Sequence, residues 1–180
     1  MADDTAVEDD AAPEEAPAPE AERLHGALVS TSGGQTVLHV ERADLPALVR
    51  TLRDDDGYLM CLDVTGVDYL TYEADRGLPP GVEPERFEVV VTLMSHAARN
   101  RLRLRVQVPE TDPTCPSLFD VHPGTEAMER EVFDMFGIAF DGHPDLTRIL
   151  MPEDWEGHPL RKDFAVGRIP VQFNAPQDAR

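Results

Sequence analysis

Alternation of apolar and polar side chains marks residues 101–108 as a β-strand with two different faces. The even positions hold only Leu or Val, and the odd positions are Arg101, Arg103, Arg105 and Gln107. Because successive side chains of a strand point to opposite faces, this strand has one buried face and one basic face. Residues 87–95 form a second apolar strand and residues 96–100 a turn, so we predict a β-hairpin. The basic face is either a solvated sheet surface or an electrostatic docking face.

Shorter patterns surround the hairpin. Residues 36–40 and 58–64 are predicted strands, and the second is so apolar that we expect it in the centre of a sheet. Asp44 can cap a short helix, and residues 126–136 form a second helix. The apolar stripes of these helices are Leu45, Leu48, Val49 and Leu52 in the first, and Met128, Val132, Met135 and Phe136 in the second. Gly137 stands where a glycine commonly ends a helix.

Charge is distributed unevenly along the chain. Residues 1–22 hold nine acids and no base, and the rest of the chain carries a net charge of −10. We predict a disordered acidic tail over residues 1–22, with an interaction arm as the alternative. The acidic balance argues against nucleic acid as a partner and against direct binding to anionic lipid.

The cofactor motifs of common enzymes are missing from the sequence. Cys61 and Cys115 are the only two cysteines, too few for a tetrathiolate zinc site or a typical iron–sulfur cluster. Nucleotide-binding, metalloprotease and nucleophile-elbow motifs are absent, and no apolar run approaches the 20 or so residues that span a bilayer. Without a secretory leader, we expect an acidic, soluble, intracellular domain.

Regular patterning stops after Ile138. Residues 139–180 contain five prolines but also Trp155, Phe164 and Phe173. So long an irregular segment is unusual in a compact domain, and aromatic residues within it indicate that it folds against something, for which another protein is the best candidate.

Two segments carry organised charge. Glu129, Arg130, Glu131 and Asp134 share one helix, where carboxylates could act in acid–base chemistry but more commonly pair with arginines or with one another. Gly-His-Pro occurs at residues 142–144 and again at residues 157–159. A metal set of His143, Asp145, His158 and Asp163 is one interpretation. We favour neutral imidazoles that hydrogen-bond main-chain groups of an extended segment.

Four runs together resemble a known family signature. They are residues 129–138 (Glu-Arg-Glu-Val-Phe-Asp-Met-Phe-Gly-Ile), 140–146 (Phe-Asp-Gly-His-Pro-Asp-Leu), 148–152 (Arg-Ile-Leu-Met-Pro) and 155–164 (Trp-Glu-Gly-His-Pro-Leu-Arg-Lys-Asp-Phe). The combined motif is similar to that of the C-type subunit of NADH:quinone oxidoreductase, the complex I 30 kDa subunit family. Residues 62–69 and 86–90 also resemble strands of that family, so the resemblance covers residues 24–165.

The resemblance implies a fold and a role. The fold is α+β, a single domain over residues 23–138 with a small mixed β-sheet and flanking helices, followed by an extended irregular C-terminal arm over residues 139–180 that docks on a partner subunit. The implied role is a non-catalytic structural subunit in the peripheral arm of a proton-translocating NADH:quinone oxidoreductase, at the cytoplasmic face of the bacterial cell membrane. FMN, iron–sulfur clusters and quinone would be held by partner subunits, and no catalytic, cofactor or metal residue is expected in this chain.

The expected partners are other complex I subunits, chiefly the D-type subunit and neighbouring iron–sulfur subunits. The motif residues expected to support this interface are Glu129, Arg130, Glu131, Asp134, Gly137, Gly142, His143, Pro144, Asp145, Arg148, Gly157, His158, Pro159, Leu160, Arg161, Lys162 and Asp163. Because buried charges need partners, we expect a neighbouring subunit to pair with Arg148 and Arg161.

Two alternatives remain open at this point. Relatives of the family also serve as scaffold subunits of membrane-bound hydrogenases and of dehydrogenases that use other electron donors. A stand-alone metal-dependent enzyme built on the two Gly-His-Pro segments is the less favoured alternative.

Overall fold

The computed structural model describes residues 22–165, which form one mixed six-stranded sheet, a small two-stranded sheet and two α-helices. The strands of the large sheet are β1 (Arg23–Leu24), β2 (Ala27–Ser32), β3 (Gln35–His39), β4 (Met60–Asp68), β5 (Phe87–Ser95) and β6 (Asn100–Val108). The helices are α1 (Leu45–Asp54) and α2 (Glu126–Phe136), and β7 (Thr114–Pro116) and β8 (Ala139–Asp141) form the small sheet.

Strand order in the large sheet is β1-β2-β3-β6-β5-β4. Only β3 and β6 pair in parallel, and the other neighbours are antiparallel. Helix α1 makes the connection from β3 to β4, while β5 and β6 form the predicted hairpin. The predicted α+β class with a small mixed sheet is therefore confirmed, as is the second helix with its predicted bounds.

One face of the sheet, both helices and the segment before α2 form the core. The Leu and Val side chains at the even positions of β6 are almost completely buried there. Gly66 in β4 lies directly beneath the Phe136 ring of α2, where a Cβ atom would be 2.7 Å from Cδ2 of the ring. The absence of a side chain at this position therefore lets α2 pack closely on β4, which places the end of α2 beside the end of the strand.

The opposite face of the sheet is covered in part by the loop between β4 and β5. Glu88 is 1 % exposed on this face, and Nε and Nη2 of Arg105 each donate to its carboxylate at 2.8 Å. Arg105 also donates to the main-chain oxygen of Arg76 in the covering loop. Arg105 is thus an internal ion-pair partner, whereas Arg101 stays exposed at the start of β6. The arginine row therefore has no single role.

The structure corrects three details. Strand β4 lies at the edge of the sheet and not in its centre, and only Val64, Gly66 and Asp68 of its nine residues are buried, because α2 packs on one of its faces. Strand β2 occupies Ala27–Ser32, for which the sequence analysis predicted no strand. The segment designated the C-terminal arm begins with β8, which pairs in parallel with β7.

The predicted acidic tail lies outside the described residues except for Glu22, and so do residues 166–180 of the arm. Within residues 22–165, no helix is long and apolar enough to cross a membrane.

Candidate functional site

The last turn of α2 is the point where the C-terminal arm joins the domain. A helix leaves its last four main-chain carbonyls without partners inside the helix. Here each of the four accepts a hydrogen bond: Phe133 from the Gly137 amide at 2.8 Å, Asp134 from His158 Nδ1 at 3.0 Å, Met135 from the Leu160 amide at 3.0 Å, and Phe136 from Arg161 Nε at 2.5 Å. Three of these donors come from the arm, so the arm caps the helix.

The side chain of Asp134 binds a second part of the arm. Its Oδ1 accepts from Arg148 Nη1 at 2.5 Å, and its Oδ2 accepts from the amides of Ile149, Leu150 and Met151 at 3.1, 2.8 and 2.8 Å. Burial alone would raise the pKa of the Asp134 carboxyl, but the three amides and the Arg148 guanidinium outweigh it and hold this pKa below its usual value. The carboxylate is therefore fully charged at neutral pH although its side chain is 0 % exposed.

Three consecutive amides that converge on one oxygen form an anion-binding nest. The amides of residues 149–151 point towards Asp134, and the side chains of two of these residues point away from it into solvent. Ile149 is 40 % exposed and Leu150 is 55 % exposed, and Leu160 farther along the arm is 49 % exposed. The arm is therefore fixed through its main chain while it presents apolar side chains to the surroundings.

Gly137 is required at the end of α2 for two reasons. Its φ of 71° lies in the left-handed region that favours glycine. A Cβ atom here would also lie 2.5 Å from His158 Nε2 and 2.6 Å from Arg161 Nη2. The sequence predicted the first requirement but not the second, since the approach of the arm cannot be read from a helix-ending pattern.

Both histidines of the Gly-His-Pro segments bind main-chain groups, as we favoured. His143 Nε2 donates to the Glu126 oxygen at 3.0 Å, and its Nδ1 accepts from the Asp145 amide. His158 donates to the Asp134 oxygen, and burial, aided by nearby arginines, lowers its pKa. The structure does not bring the proposed metal set together: within residues 22–165 there is no group of three or more His, Cys, Asp or Glu side chains that could hold a metal.

The charged residues of α2 have structural partners. Arg130 donates to Thr147 and to the Arg148 oxygen, which holds the arm at a third place. Glu129 is 0 % exposed and accepts from Ser117 Oγ, Thr125 Oγ1 and the Leu118 amide at 2.6–2.8 Å. Glu131 is exposed. The interpretation of these charges as structural partners therefore fits the described contacts.

A further anchor at the end of β4 was missed by the sequence reasoning. Asp68 accepts from the Lys162 amide at 2.9 Å, and both of its oxygens accept from Arg86. Arg86 also pairs with Asp163 at 2.9 Å and with Glu110. Nothing in the local pattern distinguishes Asp68 from an exposed strand residue, because its burial depends on the arm that covers it.

The expectation that a neighbouring subunit supplies the partner of Arg148 is wrong, whereas for Arg161, whose acceptors here are main-chain oxygens, it stays a prediction. Arg148 pairs with Asp134, and Arg161 donates to the carbonyl at the end of α2, so both find acceptors in their own chain. The sequence placed these arginines in an irregular segment and could not show that the segment folds back on the helix.

The remaining motif residues shape the arm. Gly142 and Gly157 have φ values of 85° and 87°, so both occupy conformations that favour glycine. A His-Pro pair follows each glycine and ends in Pro144 or Pro159. The proline favours an extended conformation of the histidine before it. A Cβ atom on Gly157 would lie 3.0 Å from the Phe164 ring, which stacks on Trp155.

The fold and these contacts define an α+β domain whose carboxyl-terminal segment is held on one helix end. Residues 38–169 match the family model described as "Respiratory-chain NADH dehydrogenase, 30 Kd subunit". The C-type subunit of NADH-quinone oxidoreductase from Roseiflexus castenholzii is 49 % identical over 159 residues, which cover 86 % of this chain and 85 % of that protein. The protein of the same name from Mycobacterium sp. (strain KMS) is 45 % identical over 152 residues, covering 81 % of this chain and 62 % of that protein.

A solved structure adds to this similarity. The trypsin-resistant fragment of Nqo5 is 35 % identical, with a TM-score of 0.57, and the match covers 67 % of this chain and 90 % of the fragment. The chain spans only 56–62 % of the length of several of its relatives. It nevertheless belongs to the 30 kDa subunit family of the respiratory-chain NADH dehydrogenase, as its motifs indicated.

Replacing Gly137 by Ala should detach the arm from α2, because the new Cβ atom collides with His158 and Arg161. Gly142→Ala is the matched control, since Gly142 has a similar φ but no atom within 4 Å of its Cβ position. We expect Gly137→Ala to cost about 1–3 kcal/mol more than the control. The free energy of unfolding of both variants can be measured by denaturation, with the fluorescence of Trp155, the single tryptophan, as the probe. Equal losses would contradict the collision.

The charge on Asp134 should make arm stability depend on pH. Since its native pKa is below that of the unfolded chain, its stabilisation is present above about pH 4 and is lost as the pH falls through the native value. Asp134→Asn should therefore cost about 3 kcal/mol at pH 7, and the difference from the wild type should shrink at acid pH. Urea denaturation at several pH values tests this, with the exposed Asp145→Asn as control. A difference that does not change with pH would refute the assignment.

Proposed function

We propose that the chain is a non-catalytic structural subunit in the peripheral arm of a proton-translocating NADH:quinone oxidoreductase, located at the cytoplasmic face of the cell membrane. Its role is to brace the subunits that carry electrons from NADH to quinone. The observation that carries this proposal is a rigid arm that displays apolar side chains. Family membership supports the assignment, and the named relatives are all C-type subunits of NADH-quinone oxidoreductases.

The arm is suited to contact with another subunit. Ile149, Leu150 and Leu160 are exposed, although a chain that only needed to cap α2 would gain nothing from apolar side chains there. Exposed apolar groups on a surface mark sites of protein association when they are grouped. Because Asp134 and the end of α2 fix the main chain beneath them, little conformational entropy would be lost on binding. We assign this surface to the D-type subunit as its partner.

The cofactors of the complex are assigned to partner subunits. Cys61 and Cys115 could contribute at most two thiolates, and burial raises the pKa of Cys61 to about 11 and that of Cys115 to about 12. Both are therefore protonated thiols at neutral pH, a poor state for binding iron or a cluster. FMN, iron–sulfur clusters and quinone would accordingly lie in the neighbouring subunits, and this chain would affect electron transfer by positioning them.

Leu150→Asp and Leu160→Asp should test the docking surface. Both residues are about half exposed, so the isolated variants should melt within a few degrees of the wild type, while loss of apolar contact should weaken partner binding about 10- to 30-fold. Native gels of solubilised membranes measure the amount of complex, and NADH:quinone reductase activity is measured per assembled complex. Leu24→Asp, at the far edge of the sheet, is the control.

The two possible failures have different meanings. Normal assembly by both variants would place the partner elsewhere and refute the docking surface. Normal assembly with lost turnover would indicate that the arm acts in the chemistry or its gating, which contradicts a purely structural role.

A further inference from the structure

The tip of the β5–β6 hairpin carries positive charges that the described chain does not neutralise. Arg99, Arg101 and Arg103 lie there beside His96, and these four residues are called the basic patch. Within residues 22–165, the arginines with carboxylate partners are Arg42, Arg53, Arg86, Arg105, Arg130 and Arg148. The only polar side-chain contact of the patch arginines in that range is from Arg103 to the Gln35 side-chain oxygen at 3.1 Å. Arg23, Arg76 and Arg161 donate to main-chain oxygens instead. Arg99, Arg101 and Arg103 therefore form a group of arginines without a carboxylate partner among the described residues.

The patch borders a depression between the hairpin tip and the turn from β2 to β3. The depression has a volume of about 600 Å³, and its lining includes His96, Arg99 and Arg101 but no carboxylate. The strand register places the turn from β2 to β3 beside the hairpin tip, because β3 begins next to the start of β6, where Thr36 pairs with Leu102. Gly33 and Gly34, which form the turn from β2 to β3, have no side chain, so space stays open beside the arginines for a segment of polypeptide.

Such a concentration of like charge is unfavourable without an anion. Arg101 and Arg103 are two positions apart on the same face of one strand, which places their Cα atoms about 7 Å apart. This separation is within the Debye length of about 8 Å at physiological ionic strength, so the two guanidinium groups repel each other. The rest of the chain is strongly acidic, but its distant charges are screened over the same length. An anion bound at the patch would relieve the repulsion.

We propose that the acidic N-terminal segment, residues 1–22, binds the basic patch. This segment holds nine carboxylates and no cation, which makes it the most acidic part of the chain. The described structure begins at Glu22, whose main-chain oxygen accepts from the Val29 amide at 2.9 Å. Two strands, β2 and β3, lie between β1 and β6, so the patch is roughly 15 Å away by sheet spacing. A chain of this length can extend to about 70 Å and therefore reaches it.

Attachment to the same chain favours this occupant over a free acidic partner. A tethered segment is present at an effective concentration in the millimolar range, so weak electrostatic contacts suffice for binding. Because each contact is exposed, the interaction is salt-dependent and releasable. In the isolated chain the N-terminal segment therefore occupies the patch. An acidic surface of another protein could compete with the segment and displace it. This inference does not depend on the proposed function of the arm.

Deletion of residues 2–22 provides the first test, using ¹H–¹⁵N spectra of the full and shortened chains. In 20 mM salt, the deletion should shift the amides of residues 34–36 and 96–103, and in 500 mM salt the two spectra should coincide. Introducing Arg101→Glu into the full chain should remove most of the difference. Arg50→Glu, an exposed arginine on α1, is the matched control and should leave it unchanged.

A synthetic peptide of residues 1–22 gives the affinity on the shortened chain. Arg99→Glu combined with Arg101→Glu should weaken peptide binding about tenfold, and Arg50→Glu should change it less than about twofold. The proposal is overturned if deletion leaves the amides of residues 34–36 and 96–103 in place, which would leave the patch to a separate partner. Equal weakening by Arg50→Glu would also overturn it, because binding would then follow net charge and not the patch.

Discussion

The capping of α2 by the arm is the interaction on which the rest of the site depends. Four main-chain carbonyls and one buried carboxylate at the end of this helix all find donors, and most of those donors belong to residues 148–161. Leaving a buried polar group unpaired costs about 1–3 kcal/mol. Loss of the arm would leave several of these groups unpaired at once and would destabilise the end of the helix by the sum of these costs. Helix and arm therefore stabilise each other, although they are separate in the sequence pattern.

Positive charge at this helix end has a second effect. The carboxyl end of a helix carries partial negative charge, and both Arg148 and Arg161 lie against it. Asp134 would be costly to bury alone, but the nest of amides and Arg148 compensate it on all sides. The same arrangement directs Ile149 and Leu150 outward. One set of contacts thus explains the stability of the arm and its exposed apolar surface.

The sequence predicted those parts of the structure that follow from periodicity. The β5–β6 hairpin, the bounds of α2 and the terminating Gly137 came from local patterns that tertiary contacts reinforce. The edge position of β4 and the burial of Asp68 could not be predicted, since both depend on elements distant in sequence. The partners of Arg148 were misassigned for the same reason: an irregular segment carries no periodicity from which a packing face can be read. The family resemblance named the motif residues but gave no contacts.

Amide hydrogen exchange in the isolated chain tests most directly whether the arm is part of the domain. The amides of Ile149, Leu150, Met151 and Leu160 donate to groups of α2 and should exchange nearly as slowly as amides of its last turn. The Asp154 amide, which has no hydrogen-bond acceptor among the described residues, should exchange rapidly. Rapid exchange at all four positions would contradict the account, because the arm would then be ordered only by a partner.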